Sequence, residues 1–298
     1  MINKLITKTL PLFPKSFIYL FAKKYIAGAT LEEAIEVCKL LEAKGACTTI
    51  DTLGEFVSSK QQATKETSMS LAVLDAIKNN SLNSYLSIKP TSLGLEIDFD
   101  FAYSNIKSIV SKAKELGLFV RLDMENTPYT SKTLDIYKKL KNDGLENVGF
   151  VIQAYLKRSM DDIKAMSKFN PSTRLCKGIY NESPSLAYKD REKIRDNYKE
   201  LLKYMFENGY YTCIATHDDL LLNYAENLIK EKKIPKDKYE FQMLLGVTES
   251  LRAKLISNGH KVRVYTPYGI DWYGYSIRRL NENPQMAGHI VKSIFTRK

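Results

Sequence analysis

Cysteine is scarce and scattered: four in 298 residues, Cys38, Cys47, Cys176 and Cys213, with no C-x-x-C pair and no histidine run beside them. That excludes a disulfide framework and a zinc site of ordinary ligand spacing, and it points to a reduced, cytoplasmic compartment. Histidine is rarer still, with three in the chain. No apolar run approaches the roughly 20 residues a membrane span needs. Lys4, Lys8, Lys15, Lys23 and Lys24 cut the N-terminal stretch into short pieces, and Lys15 with Pro11 and Pro14 interrupts any secretory signal core. No Gly/Ser/Pro linker and no low-complexity tract divides the chain, so a second folded domain has neither boundary nor room.

What is present is a globular composition, 44% hydrophobic, with 45 Lys+Arg against 34 Asp+Glu and a formal charge of +11. Such a chain is neither disordered nor fibrous, and it is long enough to bury a large core. The lysines are spread along its whole length, and no recognisable nucleic-acid module interrupts them, so a solubilising surface is preferred to a nucleic-acid partner. Segment 16–27 has two readings: an apolar face laid on an anionic membrane with its lysines up, or a helix docked on the body of the protein.

Short β-branched or apolar runs alternate with longer stretches of helical period, the pattern of parallel βα units. Eight runs read as strands: 45–51, 84–90, 118–125, 148–154, 173–178, 211–217, 239–246 and 261–267. Helices are expected at 31–44, 60–79, 103–116, 130–142, 159–168, 183–208, 218–231 and 248–258, with a ninth at 272–283. Gly45, Gly117, Gly144, Gly209 and Gly259 stand just before strands, where a helix-ending residue of positive φ belongs. The expected fold is α/β, a (β/α)8 TIM-type barrel, with N-terminal helices over 1–44, the barrel over 45–267, and a C-terminal helix and tail over 268–298.

A barrel of this kind builds its active site at the C-terminal ends of its strands. Polar residues collect there: Lys89 after strand two, Asp123 and Glu125 after three, Gln153 and Tyr155 after four. Arg174, Lys177 and Tyr180 lie in and after strand five, Thr216 and His217 after six, Glu240 and Gln242 in seven, and Tyr265 in eight. Any one of these could simply be solvated, since strand side chains alternate. Together they form a charged and aromatic cluster that would be costly to bury without partners, which suits a polar ligand. His217 reads equally as a ligand or proton-transfer group and as a satisfied structural histidine. The strand thiols Cys47, Cys176 and Cys213 read as buried and inert. On the last helix Tyr275, Arg278, Arg279 and Glu282 fall at i, i+3, i+4 and i+7, on one face. Paired guanidinium forks there could clamp a carboxylate, with the tyrosine as a wall and the glutamate orienting one fork.

At these residues the sequence resembles the proline dehydrogenase family, FAD-dependent (β/α)8 barrels that oxidise L-proline, and most of all its short, single-activity bacterial members. The matching segments are SIKP, RLDME, VIQAYLKR, RLCKGIY, ATHDD, YEFQMLLG and VRVYTPYGIDWYGYSIRRLNE, from Ser87 to Glu282. The block Y-x-x-R-R-x-x-E is the most specific of them, whereas the first eighty residues match only in helical character. The resemblance implies that Arg278 and Arg279 clamp the proline carboxylate, with Lys89 reaching the same group. Tyr265, Tyr275 and Leu244 would wall the pyrrolidine ring, with Tyr180 opposite, and Asp123 would position Lys89 and the inner polar network. For the flavin it implies Arg174 near N5, Gln153 on the pyrimidine edge, and Lys177 with Gly178 at a turn meeting the cofactor. Thr216 and His217 would be further contacts, Glu282 would pair with Arg279, and the C-terminal helix would cover the barrel mouth.

No G-x-G-x-x-G follows a strand, and a barrel need not carry one to hold a dinucleotide. The family's product is Δ1-pyrroline-5-carboxylate, formed by hydride transfer to flavin N5, and its electrons pass to membrane quinone. A separate pyrroline-5-carboxylate dehydrogenase would follow, and the basic N-terminal segment would gain a use at the inner face of the membrane. The tyrosine at 275 suits unsubstituted proline, with 4-hydroxyproline as the alternative substrate. From other chemistry, Lys89 could be the Schiff-base lysine of an aldolase-type barrel, although its proximity to arginines favours the protonated form. As a non-enzyme, the chain would be a basic membrane-surface scaffold.

Overall fold

The computed structural model describes Tyr19, residues 22–54 and residues 56–276. Eight parallel strands, β1 (Cys47–Thr52), β2 (Ser84–Ile88), β3 (Val120–Leu122), β4 (Val148–Gln153), β5 (Ser172–Cys176), β6 (Tyr211–Ala215), β7 (Tyr239–Leu244) and β8 (Val262–Tyr268), pair in sequence order. The ring closes through β1 and β8, with Thr49 beside Tyr265 and Asp51 beside Pro267.

The helices that return the chain are α1 (Leu31–Glu42), α2 (Lys60–Asn79), α3 (Phe99–Glu115), α4 (Thr127–Asn142), α5 (Ser159–Ala165), α6 (Arg191–Glu207), α7 (Asp219–Lys232) and α8 (Glu249–Ser257). Side-chain caps fix several starts: Thr30 and Glu33 form a reciprocal capping box on α1, and Asp98 accepts from the N–H of Phe101 on α3. The five glycines expected before strands all have φ between +70° and +82°. One expected helix is corrected. The span 183–208 is helical only from Arg191, because Pro184 interrupts the backbone donors and Asp190 caps the true start by accepting from Lys193 N–H.

Alternation along the strands divides two cores. Ile50, Leu86, Leu122, Phe150, Leu175, Ile214 and Phe241 belong to the apolar layer packed under the helices. The intervening positions meet inside the barrel and are polar: Arg121, Arg174, Glu240, Gln242 and Arg263, all buried. Barrels usually fill that space with branched apolar side chains. Here ion pairs and hydrogen bonds fill it, which makes the interior an electrostatic structure.

Ahead of α1, Ala22, Tyr25 and Ile26 are buried in a small apolar cluster with Leu53 and Tyr275, so this end of segment 16–27 docks on the barrel. Ala27 N–H completes the join by donating to the Pro267 carbonyl at 2.7 Å. Among the described residues no helix is long and apolar enough to cross a membrane. A last helical stretch begins at 272. The rest of the expected 272–283 helix lies outside the described residues.

Candidate functional site

A cavity of about 830 Å³ opens at the C-terminal ends of the strands. Lys89, Asp123, Gln153, Arg174, Lys177, Gly178, Tyr180, Thr216, His217, Leu244, Tyr265 and Tyr275 all line it. Every predicted site residue that is described therefore faces one space. Arg278, Arg279 and Glu282 lie outside the described residues.

Its floor is a chain of charged contacts that crosses the barrel. Arg174 Nη1 donates to Asp123 Oδ1 at 2.6 Å, and the Ser87 hydroxyl donates to the same oxygen at 2.7 Å. The Tyr265 hydroxyl donates to Asp123 Oδ2 at 2.8 Å. Arg174 Nε donates to Gln242 Oε1 at 2.6 Å, and Gln242 Nε2 donates in turn to the Tyr85 hydroxyl at 2.6 Å. Lys89 Nζ donates to Asp51 Oδ1 at 2.5 Å and to the Tyr265 hydroxyl at 3.4 Å, while Asp123 Oδ2 stands 3.9 Å away. Lys89 is thus held first by Asp51 and only second by Asp123.

The titration behaviour follows from those contacts. Burial pushes the Asp51 carboxyl up to about 6, with the Lys89 ammonium opposing the rise and the Asp123 charge adding to it. Burial pushes Asp123 up too, but the Arg174 guanidinium and the Lys89 ammonium overcome it and hold the group below the usual carboxylate range. Burial also keeps the Tyr265 phenol protonated well above its ordinary value. Asp123 is therefore favoured as the anion that holds Arg174 within the cavity. The Arg174 Nη2 atom is buried and has no hydrogen-bond partner among the described residues.

The remaining wall residues are set by their loops. Lys177 pairs with Asp218 at 3.2 Å, and Asp218 also takes two bonds from Arg195 at 3.0 and 3.2 Å. The Asp218 N–H donates to Thr216 Oγ1 at 3.1 Å. Leu244 N–H donates to His217 Nε2 at 3.0 Å, which fixes the ring against the end of β7. Gln153 Nε2 donates to the Glu125 carbonyl at 2.9 Å, which fixes the amide plane. Gly178 has φ +101°, and a Cβ there would run into the Tyr155 ring, so the chain passes this ring at a closeness only glycine allows.

Three strand-end residues do other work. Glu125 is buried away from the cavity, where its carboxylate accepts from Thr91 N–H at 2.9 Å and from the Thr91 hydroxyl. Glu240 lies deeper in the barrel, paired with Arg263 at 2.8 Å. Tyr155 packs with Leu156 and Ala187 behind the Gly178 turn. Cys176 does line the cavity and is only half-buried, yet burial of its sulfur pushes the thiol up to about 11. The thiol expected to be buried thus lies at the cavity wall, protonated at neutral pH. Among the lining residues that escaped the sequence are Asp51, although it closes the T-I-D run of strand one by the rule applied to the other strands, and Tyr25, which arrives from outside the barrel.

A closed (β/α)8 barrel whose polar cavity gathers side chains from successive strand ends is built as an enzyme of this fold is built. Comparison with known proteins narrows the class. The chain belongs to the proline dehydrogenase family, whose model, described as "Proline dehydrogenase", matches residues 34–292. "Proline dehydrogenase 2" of Bacillus subtilis (strain 168) is 41% identical over 273 residues, covering 92% of this chain and 90% of that one. "Proline dehydrogenase 1" of the same strain is 38% identical over 288 residues, covering 96% and 95%. "Proline dehydrogenase" of Deinococcus radiodurans is 36% identical over 277 residues, covering 92% and 89%. Among solved structures, proline utilization A (PutA) from Bdellovibrio bacteriovorus, inactivated by N-propargylglycine, superposes with a TM-score of 0.83 at 26% identity. That match covers 88% of this chain, which spans about a third (32%) of the PutA chain.

Proposed function

We propose that the chain oxidises L-proline to Δ1-pyrroline-5-carboxylate, the first step of proline catabolism, with FAD as the bound hydride acceptor and a quinone taking the electrons onward. The observation that carries this reading is Arg174: a buried cation locked to Asp123, with one guanidinium nitrogen unspent in the cavity. That is a donor prepared for an electron-rich ligand. The Gly178 turn, with no room for a side chain, and the Gln153 amide, held in one plane by the Glu125 carbonyl, suit the rim of a planar heterocycle.

When bound, FAD supplies the hydride acceptor that no protein side chain provides. Arg174, Gln153, Lys177, Gly178, Thr216, His217 and Glu282 would hold it. The work of the chain is then binding and orientation. Lys89, Arg278 and Arg279 take the substrate carboxylate, and Tyr265, Tyr275, Leu244 and Tyr180 wall the ring, which fixes the C5–H bond in one direction. The substrate ammonium must lose a proton before a C=N bond can form, so the rate rises with pH through the amine's bound pKa. Electrons pass to membrane quinone, the exposed Lys23 and Lys24 beside the docked Ala22, Tyr25 and Ile26 provide a basic surface for that encounter, and a separate pyrroline-5-carboxylate dehydrogenase consumes the product.

The test is product formation. Purified protein given L-proline and a soluble quinone should yield pyrroline-5-carboxylate, trapped as its coloured o-aminobenzaldehyde adduct, and 4-hydroxyproline should be the poorer substrate because Tyr275 fills the ring's surroundings. Absence of adduct, with quinone and FAD both supplied, would overturn the reading. Turnover of 4-hydroxyproline faster than of proline would replace the substrate and keep the chemistry.

A further inference from the structure

The first strand contributes one charged side chain to the cavity, and the roles proposed above leave it unused. Asp51 is almost wholly buried, yet it lines the cavity. Strand register places it beside Ser87, and Lys89 follows two residues on, just past the end of β2. The lysine side chain folds back across the β1–β2 join to reach Asp51 Oδ1 at 2.5 Å.

The rest of the network shows what this contact prevents. Asp123, the other nearby carboxylate, already accepts from Ser87, Arg174 and Tyr265, and its Oδ2 lies 3.9 Å from Lys89 Nζ. Without a carboxylate on β1, the ammonium would be drawn to Asp123, where it would compete with Tyr265 for Oδ2 and with Arg174 for charge. Two cations and two carboxylates are thus divided into two pairs, Lys89 with Asp51 and Arg174 with Asp123.

We propose that Asp51 is a positioning residue: it holds the Lys89 ammonium at the cavity wall, where it meets the substrate carboxylate, and so leaves Asp123 to Arg174. The inference deepens the reading of the site as a proline pocket and rests on it. Asp51 acts through Lys89 and touches no reacting atom. Burial of its carboxyl, which lifts it to about 6, marks it as a group kept in place at a cost to its own ionisation.

The experiment is a double-mutant cycle on the FAD-loaded protein with Asp51→Asn, Asp51→Glu, Lys89→Met and the double variant Asp51→Asn/Lys89→Met. Asp51→Asn should raise the proline KM by about tenfold or more with a smaller change in kcat, as loss of a buried charge partner does. Asp51→Glu should recover part of that, and Asp51→Asn should add less than about twofold to KM in the Lys89→Met background. A wild-type KM in Asp51→Asn, or effects that multiply in the double variant, would overturn the proposal. If the unmodified protein does not oxidise proline at all, the reading of the pocket falls, and the positioning claim is judged on unfolding midpoints. The double variant must then lose less than the sum of the single ones, and additive losses would refute it.

Discussion

Two ion networks lie inside this barrel, one above the other. The lower joins Glu240 of β7 to Arg263 of β8, with two bonds at 2.8 and 3.2 Å, and Arg263 continues to the Thr48 carbonyl at 2.6 Å. Arg121 in β3 bonds the carbonyls of Phe150 and Ser172 at the same depth. The upper joins Asp51, Lys89, Asp123 and Arg174 around the cavity. Both are buried, so burial alone does not tell structure from function. Glu240 is held far below the ordinary carboxylate range: burial pushes it up, and the Arg263 charge and bonds, with Lys261, more than reverse this. In the upper network Asp51 moves the other way, and Asp51 Oδ2 and Arg174 Nη2 are left without partners among the described residues. Gln242 links the layers by donating to Glu240 Oε1 at 2.6 Å, and in the lower one Arg121 Nε is also without a partner among the described residues, but only the upper layer's unpaired atoms belong to residues that line the cavity, which leaves it bonding capacity for a ligand.

The difference can be broken by exchanging losses between the layers. Arg263→Met should be the most damaging change to the fold, lowering the unfolding free energy by about 3–5 kcal/mol because it strands the Glu240 carboxylate. Flavin reduction per folded molecule should change far less, as denaturant melts and single-turnover reduction would show. Arg174→Met should do the reverse: a loss of about 10²–10³ in reduction rate, the size seen when a fixed charge-stabilising donor is removed, with a smaller loss of stability than Arg263→Met because Ser87, Tyr265 and Lys89 still face the Asp123 carboxylate. Equal effects of the two on both readouts would erase the distinction.

Acid titration of stability sharpens it, because the signs oppose. Glu240 has a folded pKa below its ordinary 4.5, so its contribution is present above that value and is lost as the pH falls through the folded pKa. The advantage of the wild type over Glu240→Gln should therefore shrink in strong acid. Asp51 has a folded pKa raised from 3.8 to about 6, so its contribution is full below 3.8 and is lost as the pH rises through 6. The advantage over Asp51→Asn should shrink between pH 4 and 6 as the pH goes up. Urea midpoints from strong acid up to about pH 6 give both slopes. The smallest effect is expected at the cavity thiol: Cys176→Ala should change turnover by less than about twofold, since a thiol titrating near 11 supplies no nucleophile at neutral pH.

Much of this was legible in the sequence, and what was not has physical causes. The alternation of short strands and helices gave all eight strands within a few residues, because each apolar run is bounded by turn chemistry. Helix 183–208 was overextended because S-P-S-L-A-Y has a helical period, and the backbone cost of Pro184 and the stronger cap at Asp190 outweigh it. Lys89, Asp123, Arg174 and Tyr265 were readable as strand-end polar residues. Which of them pair was not, since pairing depends on barrel register: Lys89 lies nearer in sequence to Asp51 than to Tyr265, and only the β1–β8 closure brings all three together. Glu125 and Glu240 show the limit of the strand-end rule. It finds polar residues near the mouth and cannot tell which way a side chain turns, toward Thr91 in one case and Arg263 in the other.

If the upper network serves a flavin that proline reduces, the visible absorption spectrum shows it most directly. The purified protein, loaded with FAD, should show a flavin spectrum that bleaches on anaerobic addition of L-proline and returns with quinone. A protein that takes up no flavin, or whose flavin stays oxidised under saturating proline, would contradict the account.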